Sequence, residues 1–405
     1  MRRRENEMFL KGIRTRTIQH PGAHNSRPGV ECIDLQVRHI LRSRLFDLYG
    51  SQMDDLLKAV PYTEEDGPVS DQAIIHEHAF ADERPFPQCH ASTLVELAPD
   101  RFGIAYFAGT RERDPDVGIW FSERTPQGWL PPRLLAKIND QAHWNPVLFR
   151  SPVGPLLLYF KVGPRVPAWR TWMMQSQDNG HTWSEPRELL PTDPVARGPV
   201  KNKPIVLHNG TVLAPGSDER NDRWRPFVDI SHDGGQTFIP GNLLPITHSQ
   251  ITGKGVIQPT LWESQPGHVH MLLRSTCGRI CRADSSDSGC TWSSIYPTHL
   301  PNNNSGFDCA VLDAQGALAL VYNPVAGDPE NRGKGPRTPL SIALSFDHGL
   351  TWPRRLDLET DAGGYAYPAI IPTGAGMAIS YTWRRERIAF WKGPITAIPA
   401  LPHPP

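Results

Sequence analysis

The stretch Ser176-Gln-Asp-Asn-Gly-His-Thr-Trp183 occurs in four related copies along this sequence. The other three occupy residues 231–238, 285–292 and 345–352, and all four share the pattern Ser-x-Asp-x-Gly-x-Thr-aromatic. The Asp side chain can accept hydrogen bonds from the backbone that follows it, and the fixed Gly supplies a positive φ. The pattern therefore predicts a tight turn that leads into a strand beginning at the Thr and the aromatic residue.

The spacing of the copies predicts a radially repeated sheet. The four Asp residues stand at 178, 233, 287 and 347, which are 55, 54 and 60 residues apart, with strand-like sequence between them. We predict an all-β fold, a six-bladed β-propeller with four antiparallel strands in each blade. The last unit, over residues 369–391, ends without a copy of the turn and lacks a fourth strand. A strand near residues 74–80 could supply it and close the ring, leaving no open edge.

The 405 residues divide into one large predicted domain with flanking segments. We expect an N-terminal extension over 1–70, partly disordered or in short helices, a propeller over 73–395 and a Pro-rich tail over 396–405. The 42 basic and 42 acidic residues balance, so no global field favours nucleic acid or an anionic membrane as a partner.

Cofactors and location follow from what the sequence lacks. Cys277 and Cys281 lie four residues apart, but no His or second Cys pair completes a metal set, so we expect neither metal nor cofactor. No apolar run approaches the roughly 20 residues that span a bilayer, and the first ten residues lack the apolar core of a secretory signal. A cytoplasmic location is the expectation, and the oligomeric state stays open.

Polar and aromatic residues recur once per predicted blade at two loop positions that meet over the central channel. Before the first strand of successive units stand His90, then His143 with Asn145, Lys201 with Lys203, Gln258, Asn304, and Tyr365 with Tyr367. After the second strand stand Arg111 with Asp114, then Lys161, Asp218 with Glu219, Arg274, Asn323 and Arg384. This phase predicts a site at the mouth of the channel. The Asn residues could equally satisfy backbone groups in turns.

Several of these residues are cations, and their convergence would require an anion. The set comprises Arg111, Lys161, Lys201, Lys203, Arg274 and Arg337. A carboxylated sugar is the favoured ligand, because arginine binds a carboxylate in bidentate fashion. We therefore predict an acidic oligosaccharide as the partner.

The four turns resemble the Asp boxes, or BNR repeats, of the sialidase superfamily, and residues 86–392 resemble sialidase-like BNR-repeat proteins. The resemblance implies a carboxylate held by three arginines, a Tyr nucleophile paired with a Glu, and an Asp acid/base. Arg274 and Arg337 resemble the second and third arginines. The nucleophile is similar to Tyr365 or Tyr367, and the acid/base would be Asp114 or Asp116.

Two positions depart from the sialidase pattern. His90 stands where the first arginine would enter the first blade, and Gln258 stands where the Glu partner of the Tyr would be. A glutamine cannot act as the base that activates a phenol.

Three functions remain open on the sequence. The first is an exo-glycosidase that acts on a terminal carboxylated sugar, sialic or uronic acid. The second is a uronate-directed polysaccharide lyase, in which His90 is the general base or acid and Tyr365 or Tyr367 its counterpart. The third is a glycan-binding propeller without catalytic activity.

Overall fold

The structure is a computed structural model that describes residues 74–402, apart from residues 248, 329 and 375. The expected N-terminal extension over 1–70 lies outside these residues. The described chain is built from short antiparallel strands and three 3-10 turns, at Val166–Ala168, Arg220–Asp222 and Ile395–Ala397. None of the helices it contains has the length and apolar character that crossing a membrane requires.

The strands form six sheets, which we call blades 1 to 6 in chain order. Blade 1 holds β2 (Gln88–Ala98), β3 (Arg101–Gly109), β4 (Gly118–Thr125), β5 (Gly128–Trp129) and β6 (Arg133–Ala136). Blade 2 holds β7 (His143–Arg150), β8 (Leu156–Val162), β9 (Arg170–Ser176) and β10 (Arg187–Glu188). Blade 3 holds β11 (Ile205–Val206), β12 (Val212–Asp218) and β13 (Arg225–Ser231).

The remaining strands complete the ring. Blade 4 holds β14 (Val256–Gln265), β15 (His268–Ser275), β16 (Arg279–Ser285) and β17 (Tyr296–Pro301). Blade 5 holds β18 (Asp308–Val311), β19 (Leu318–Tyr322), β20 (Leu340–Ser345) and β21 (Arg354–Glu359). Blade 6 holds β22 (Tyr365–Thr373), β23 (Gly376–Trp383), β24 (Arg387–Gly393) and β1 (Ile75–His78). The prediction of a six-bladed propeller is confirmed.

The strand that closes the ring comes from the start of the described chain, as predicted. β1 pairs antiparallel with β24, from Ile75 opposite Lys392 to His78 opposite Ala389. Glu77 on β1 also accepts hydrogen bonds from blade 1, from Arg124 Nε over 2.6 Å and from Trp129 Nε1 over 2.8 Å. The closing strand therefore joins the last blade to the first.

Blade 3 has three strands instead of the predicted four, and its outer edge is irregular. Beyond β13 the described chain makes only single bridges, between Ile230 and Ile239 and between Phe227 and Leu243. Gly241 lies so close to the Val228 carbonyl that an added Cβ would collide with it. Gly241 and the proline before it interrupt the ladder, since proline cannot donate to it and glycine weakens a strand.

Apolar side chains are buried between neighbouring blades in six clusters, one at each interface. One cluster packs Phe102 and Ile104 of blade 1 against Phe390 of blade 6, across the point where the ring closes. Burial of this kind is the dominant stabilising contribution to a folded domain. The blades are therefore held face to face rather than through their edges.

The repeated turns have the geometry that their sequence predicts. In the first copy, Asp178 accepts hydrogen bonds from the Thr182 backbone N–H over 2.8 Å and from the Thr182 hydroxyl over 2.6 Å. Gly180 adopts a φ of 88° and its N–H donates to Ser176 Oγ over 2.7 Å. The same bonds recur in the copies at residues 231–238, 285–292 and 345–352. The turns follow the third strand of blades 2 to 5, on its outer side.

Candidate functional site

A β-bulge at the start of the innermost strand recurs in four blades. The ladders shift register between His90 and Thr93, Trp144 and Val147, Ile257 and Thr260, and Ala366 and Ala369. Each bulge contains a residue with a left-handed backbone, namely Ala91, Asn145, Gln258 and Tyr367, with φ between 39° and 57°. A bulge redirects a side chain out of the regular alternation of a strand, and bulges are frequent next to active sites.

The bulge in blade 6 separates the two candidate tyrosines. Tyr365 and Tyr367 would share one face of a regular strand, since the side-chain period is two. Instead, Tyr365 is fully buried among the apolar residues between blades 5 and 6, and its hydroxyl accepts a hydrogen bond from Arg384 Nη2 over 3.4 Å. Tyr367 is only half-buried, and it lies among polar groups from several blades.

The phenol oxygen of Tyr367 accepts hydrogen bonds from two neighbours. Arg274 Nη1 donates to it over 2.7 Å, and Gln258 Nε2 donates over 3.2 Å. The Arg274 guanidinium is held in turn by Gln258 Oε1 at 3.1 Å and by Asn304 Oδ1 at 2.8 Å. Both donors would stabilise negative charge that develops on the phenol oxygen. We call Tyr367, Arg274, Gln258, Asn304, Arg337, Lys201 and His90 the channel-mouth cluster.

Arg337 is the cation of this cluster that has no side-chain acceptor among the described residues. Its guanidinium carbon lies 5.9 Å from the centre of the Tyr367 ring, and its side chain makes no hydrogen bond or ion pair with any residue that the structure describes. Burial lowers the pKa of Arg337 to about 10, and the neighbouring Arg274 acts in the same direction. A half-buried arginine in this state has donors available for an anion.

Lys201 is a buried residue that supports the channel-mouth cluster through its hydrogen bonds. Its ammonium donates to Asn202 Oδ1 over 2.8 Å, to the Phe307 carbonyl over 3.0 Å and to the carbonyl of Pro368, the residue after Tyr367. Burial lowers the pKa of Lys201 to about 7. Because its three N–H groups are engaged, Lys201 supports the bulge of blade 6 rather than offering donors to a ligand.

Gly306 has no side chain and therefore leaves room for the side chains of Gln258 and Lys201. A Cβ added there would lie 3.0 Å from Gln258 Oε1 and 3.4 Å from Lys201 Cε. This approach is tighter than a side chain tolerates without displacing its neighbours. The position therefore suits glycine, since it brings the backbone close to the cluster.

His90 is a buried histidine at the edge of the cluster. Its ring centre lies 4.3 Å from that of Tyr367, and its Nδ1 forms a 2.8 Å hydrogen bond with Thr382 Oγ1. Burial lowers the pKa of His90 well below its usual range, and the nearby cations Arg385 and Arg337 lower it further. The imidazole is therefore neutral at neutral pH.

Two carboxyl groups lie near these cations. Burial raises the pKa of Glu219 to about 6, and the charge of Arg274 opposes that shift. Glu112 forms an ion pair of 2.7 Å with Arg385, and its charge also acts on Arg337. The mouth of the channel therefore combines guanidinium groups with a small number of acids, one of them partly protonated near neutral pH.

Three predicted binding residues have their side chains engaged elsewhere. Both ring nitrogens of His143 bond to nearby backbone, at the Gln141 carbonyl and the Ile138 N–H. The buried Lys161 ammonium donates to Thr171 Oγ1 over 2.6 Å. Lys203 forms an ion pair of 2.8 Å with Asp308. Nothing in these contacts connects the three side chains to Tyr367.

The predicted residues of the 111–116 loop, and Arg384 of blade 6, lie on the surface. Arg111 is exposed and contacts Asp114, with 3.3 Å between Nη2 and Oδ1. Asp116 accepts a hydrogen bond from the Thr110 N–H over 2.7 Å and lines a separate cavity of about 700 Å³ beside blade 1. Arg384 is exposed and lies over the Trp383 ring.

The structure adds residues that the sequence did not single out as binding residues. Trp224 is half-buried, and its ring centre lies 5.4 Å from the Arg274 guanidinium carbon, where it could stack on a sugar. Arg385, Glu112 and Glu219 join the electrostatic surroundings of the cluster. Glu219 had a signal in the sequence, because it follows the second strand of blade 3. Among the described residues, no group of three or more His, Cys, Asp or Glu could hold a metal ion.

Comparison with known proteins identifies the family. The BNR repeat-like domain matches residues 100–379, which is more than half of the chain. The chain belongs to the BNR repeat-like family. No curated protein matches its sequence.

Solved structures with the same fold include several sialidases. The Hadza microbial sialidase Hz136 superposes with a TM-score of 0.63 at 19% identity, over 77% of this chain and 66% of that one. The NanB sialidase of Streptococcus pneumoniae superposes with a TM-score of 0.62 at 14% identity, over 85% of this chain and 73% of that one. A protein of unknown function from Dyadobacter fermentans superposes with a TM-score of 0.61 at 15% identity, over 79% of this chain and 98% of that one. At these identities the likeness establishes the sialidase-like fold of this BNR repeat-like protein.

Proposed function

We propose that this BNR repeat-like protein is an exo-glycosidase that acts on glycans with a terminal carboxylated sugar, a sialic or uronic acid. The observation that carries the proposal is the half-buried Arg337, which has no acceptor among the described residues and lies beside Arg274 and Tyr367. Neither guanidinium group forms an ion pair with a carboxylate of the described residues, although Glu112 and Glu219 act on them from a distance, and this favours a bound anion.

A carboxylate would bind between Arg337 and Arg274. Arg274 directs Nε and Nη1 to Asn304, Gln258 and Tyr367, and its Nη2 makes no hydrogen bond to the described residues. The donors left over would therefore come from Nη2 of Arg274 and from all of Arg337. This pair would hold the carboxylate of the terminal sugar and direct its anomeric carbon toward the phenol.

Tyr367 is the proposed nucleophile. Its phenol would give up its proton to solvent water as the bond to the anomeric carbon forms, because Gln258 cannot accept it. Arg274 and Gln258 donate hydrogen bonds to its oxygen and would stabilise the charge that it carries during attack. A carboxyl group of the 111–116 loop, Asp114 or Glu112, would protonate the leaving oxygen. Glycans bearing sialic or uronic acid are therefore the proposed partners.

A cytoplasmic location stays a prediction.

A screen of turnover tests the proposal. The purified protein would be incubated with sialosides and uronate-terminated oligosaccharides, and the free acidic sugar would be measured by chromatography. We expect release from at least one of them, and a loss of about 100-fold or more in Tyr367→Phe, which keeps the ring and removes the nucleophile. Release that is unchanged in Tyr367→Phe would contradict the proposed mechanism.

A glycan-binding protein without catalysis is a second candidate, favoured by Gln258. The amide contacts the phenol oxygen, but it cannot take the proton of the phenol. In this case an acidic sugar binds, Arg274→Ala weakens the binding, and no product forms from any glycan of the screen.

A uronate lyase is a third candidate, favoured by the neutral His90 beside Tyr367. A neutral imidazole can accept the proton removed next to a uronate carboxylate. The product would be an unsaturated uronate that absorbs in the ultraviolet, whereas hydrolysis gives a saturated sugar.

A further inference from the structure

Two cysteines face each other across the hairpin that joins β15 to β16 in blade 4. Cys277 Sγ lies 3.7 Å from Cys281 Sγ, and both belong to the free thiols of the structure. Cys277 is partly exposed at the hairpin, whereas Cys281 is fully buried on β16. One sulfur is therefore accessible to a small oxidant and the other is held directly behind it.

We propose that Cys277 and Cys281 form a reversible disulfide and that this hairpin is a site of oxidation by peroxides. The two sulfurs would have to approach by about 1.7 Å to reach the usual S–S bond length of about 2.0 Å. Gly278, which has a φ of 79°, lies between the two cysteines in a connection of three residues. This short connection with a glycine can adjust without moving the paired strands.

The surroundings favour Cys277 as the sulfur that is oxidised first. The hydrogen-bond contact with Cys281, in which either thiol can be the donor, lowers the pKa of Cys277 to about 6, and Ser275 Oγ lies 3.2 Å from the same sulfur. The same contact and burial raise the pKa of Cys281. Thiolate character and exposure both make a cysteine susceptible to oxidation.

The reaction proceeds in two balanced steps. The Cys277 thiolate attacks one oxygen of hydrogen peroxide, so an S–O bond forms, the O–O bond breaks and hydroxide leaves to become water. The Cys281 sulfur then gives up its proton and attacks Cys277 Sγ, so the S–S bond forms, the S–O bond breaks and a second water leaves. Two thiols and one peroxide thus give one disulfide and two waters.

Peptide mapping by mass spectrometry tests this proposal directly. Trypsin cleaves after Arg274, Arg279 and Arg282, which separates Ser-Thr-Cys-Gly-Arg (275–279) from Ile-Cys-Arg (280–282). The full-length protein would be reduced, desalted, treated with one equivalent of hydrogen peroxide, alkylated and digested. We expect the two peptides to be linked in most molecules, and the link to disappear after dithiothreitol.

Two variants make the result specific. Cys281→Ser is expected to give no linked species and to accumulate Cys277 as a sulfenic or sulfinic acid. Cys89→Ala, which removes a buried thiol on β2, is expected to leave the link at the wild-type level. The proposal is overturned if wild-type protein gives the two peptides only separately, whether alkylated or carrying Cys277 as a sulfinic acid.

Discussion

Tyr367 keeps a strained backbone because its neighbours hold it there. Its φ of 54° costs a residue other than glycine about 1–3 kcal/mol. Arg274 bonds its phenol oxygen, and the Lys201 ammonium bonds the carbonyl of the next residue, Pro368. These contacts hold the Tyr367 side chain at its phenol oxygen and the backbone that follows it at the Pro368 carbonyl. Strain held in this way at a polar, half-buried position is typical of a functional residue.

Gln258→Glu is expected to increase hydrolysis of a sialoside. The change keeps the size and backbone of the side chain and places a carboxylate beside the Tyr367 oxygen, where it can accept the phenol proton. General base catalysis contributes about 100-fold or more, so kcat should rise by that order. Steady-state kinetics on wild type, Gln258→Glu and the uncharged Gln258→Met would measure it. A Glu variant no faster than the Met variant would contradict the role assigned to position 258.

Lys161→Met is expected to change how stability depends on pH. Burial lowers the pKa of Lys161 to about 7 in the folded protein, whereas an unfolded lysine keeps its proton to about pH 10. Between these values the unfolded state binds more protons, so this lysine makes the free energy of unfolding rise by up to about 1.4 kcal/mol per pH unit. Below pH 7 both states are protonated and that contribution is constant.

Urea unfolding at pH 7, 8 and 9 would measure the effect. The stability of wild type relative to Lys161→Met should increase with pH over this range. Lys334→Met, at an exposed lysine, should give a difference that does not change with pH. A constant difference for Lys161→Met as well would mean that the buried ammonium does not titrate in this window.

Among the structural elements, the repeated turns and the bulges show what the sequence could and could not predict. The turns are predictable because Ser176, Asp178 and Gly180 bond to one another within a few residues. The bulges are not predictable, because the residue with the left-handed backbone differs in type between blades. The free-energy cost of that backbone conformation is offset by contacts with residues distant in sequence. The choice between Tyr365 and Tyr367 therefore stayed open in the sequence. His143 had the right phase for the channel mouth, but phase does not report that local backbone engages its ring.

Asp233→Ala is expected to destabilise the fold without affecting the channel mouth. The Asp233 carboxylate accepts bonds from the Thr237 N–H over 2.9 Å and its hydroxyl over 2.6 Å, and hydrogen bonds to charged groups contribute about 1.5–3 kcal/mol each. Because the turn is partly exposed, we expect a total loss of about 1–3 kcal/mol. Urea unfolding would measure it, with the exposed Asp140→Ala as the control. Equal stability of the two variants would contradict a stabilising role for the turn.

At the level of the whole molecule, the ring is closed by chain segments far apart in sequence. The repeat spacing predicted the number of blades and the origin of the closing strand, because one strand was missing from the last unit. Blade 3 was not predictable in the same way, because its irregular edge depends on the contact between Gly241 and the Val228 carbonyl. The end of the described chain returns to blade 5, where the Leu401 N–H donates to the Pro353 carbonyl over 2.8 Å.

Glu77→Pro is expected to weaken closure of the ring. The Ala79 N–H donates to the Ile388 carbonyl over 2.8 Å, and the alternation of an antiparallel ladder places the Glu77 N–H on the same side, toward β24. Proline removes that donor, so we expect a loss of at least about 1 kcal/mol beyond that of Glu77→Ala, which removes only the side-chain contacts. Thermal unfolding of both variants would measure the difference. Equal midpoints would mean that the β1 ladder does not contribute to stability.

The central claim is that Arg274 and Arg337 bind the carboxylate of a sugar at the channel mouth. Calorimetric titration would compare an acidic sugar that binds the protein with its carboxyl-reduced alcohol, using wild type, Arg274→Ala and the exposed control Arg279→Ala. We predict that wild type and Arg279→Ala bind the acid at least about tenfold more tightly, or about 1.4 kcal/mol, and that Arg274→Ala loses this preference. Equal affinity of wild type for the acid and the alcohol, or a preference that survives in Arg274→Ala, would contradict the claim.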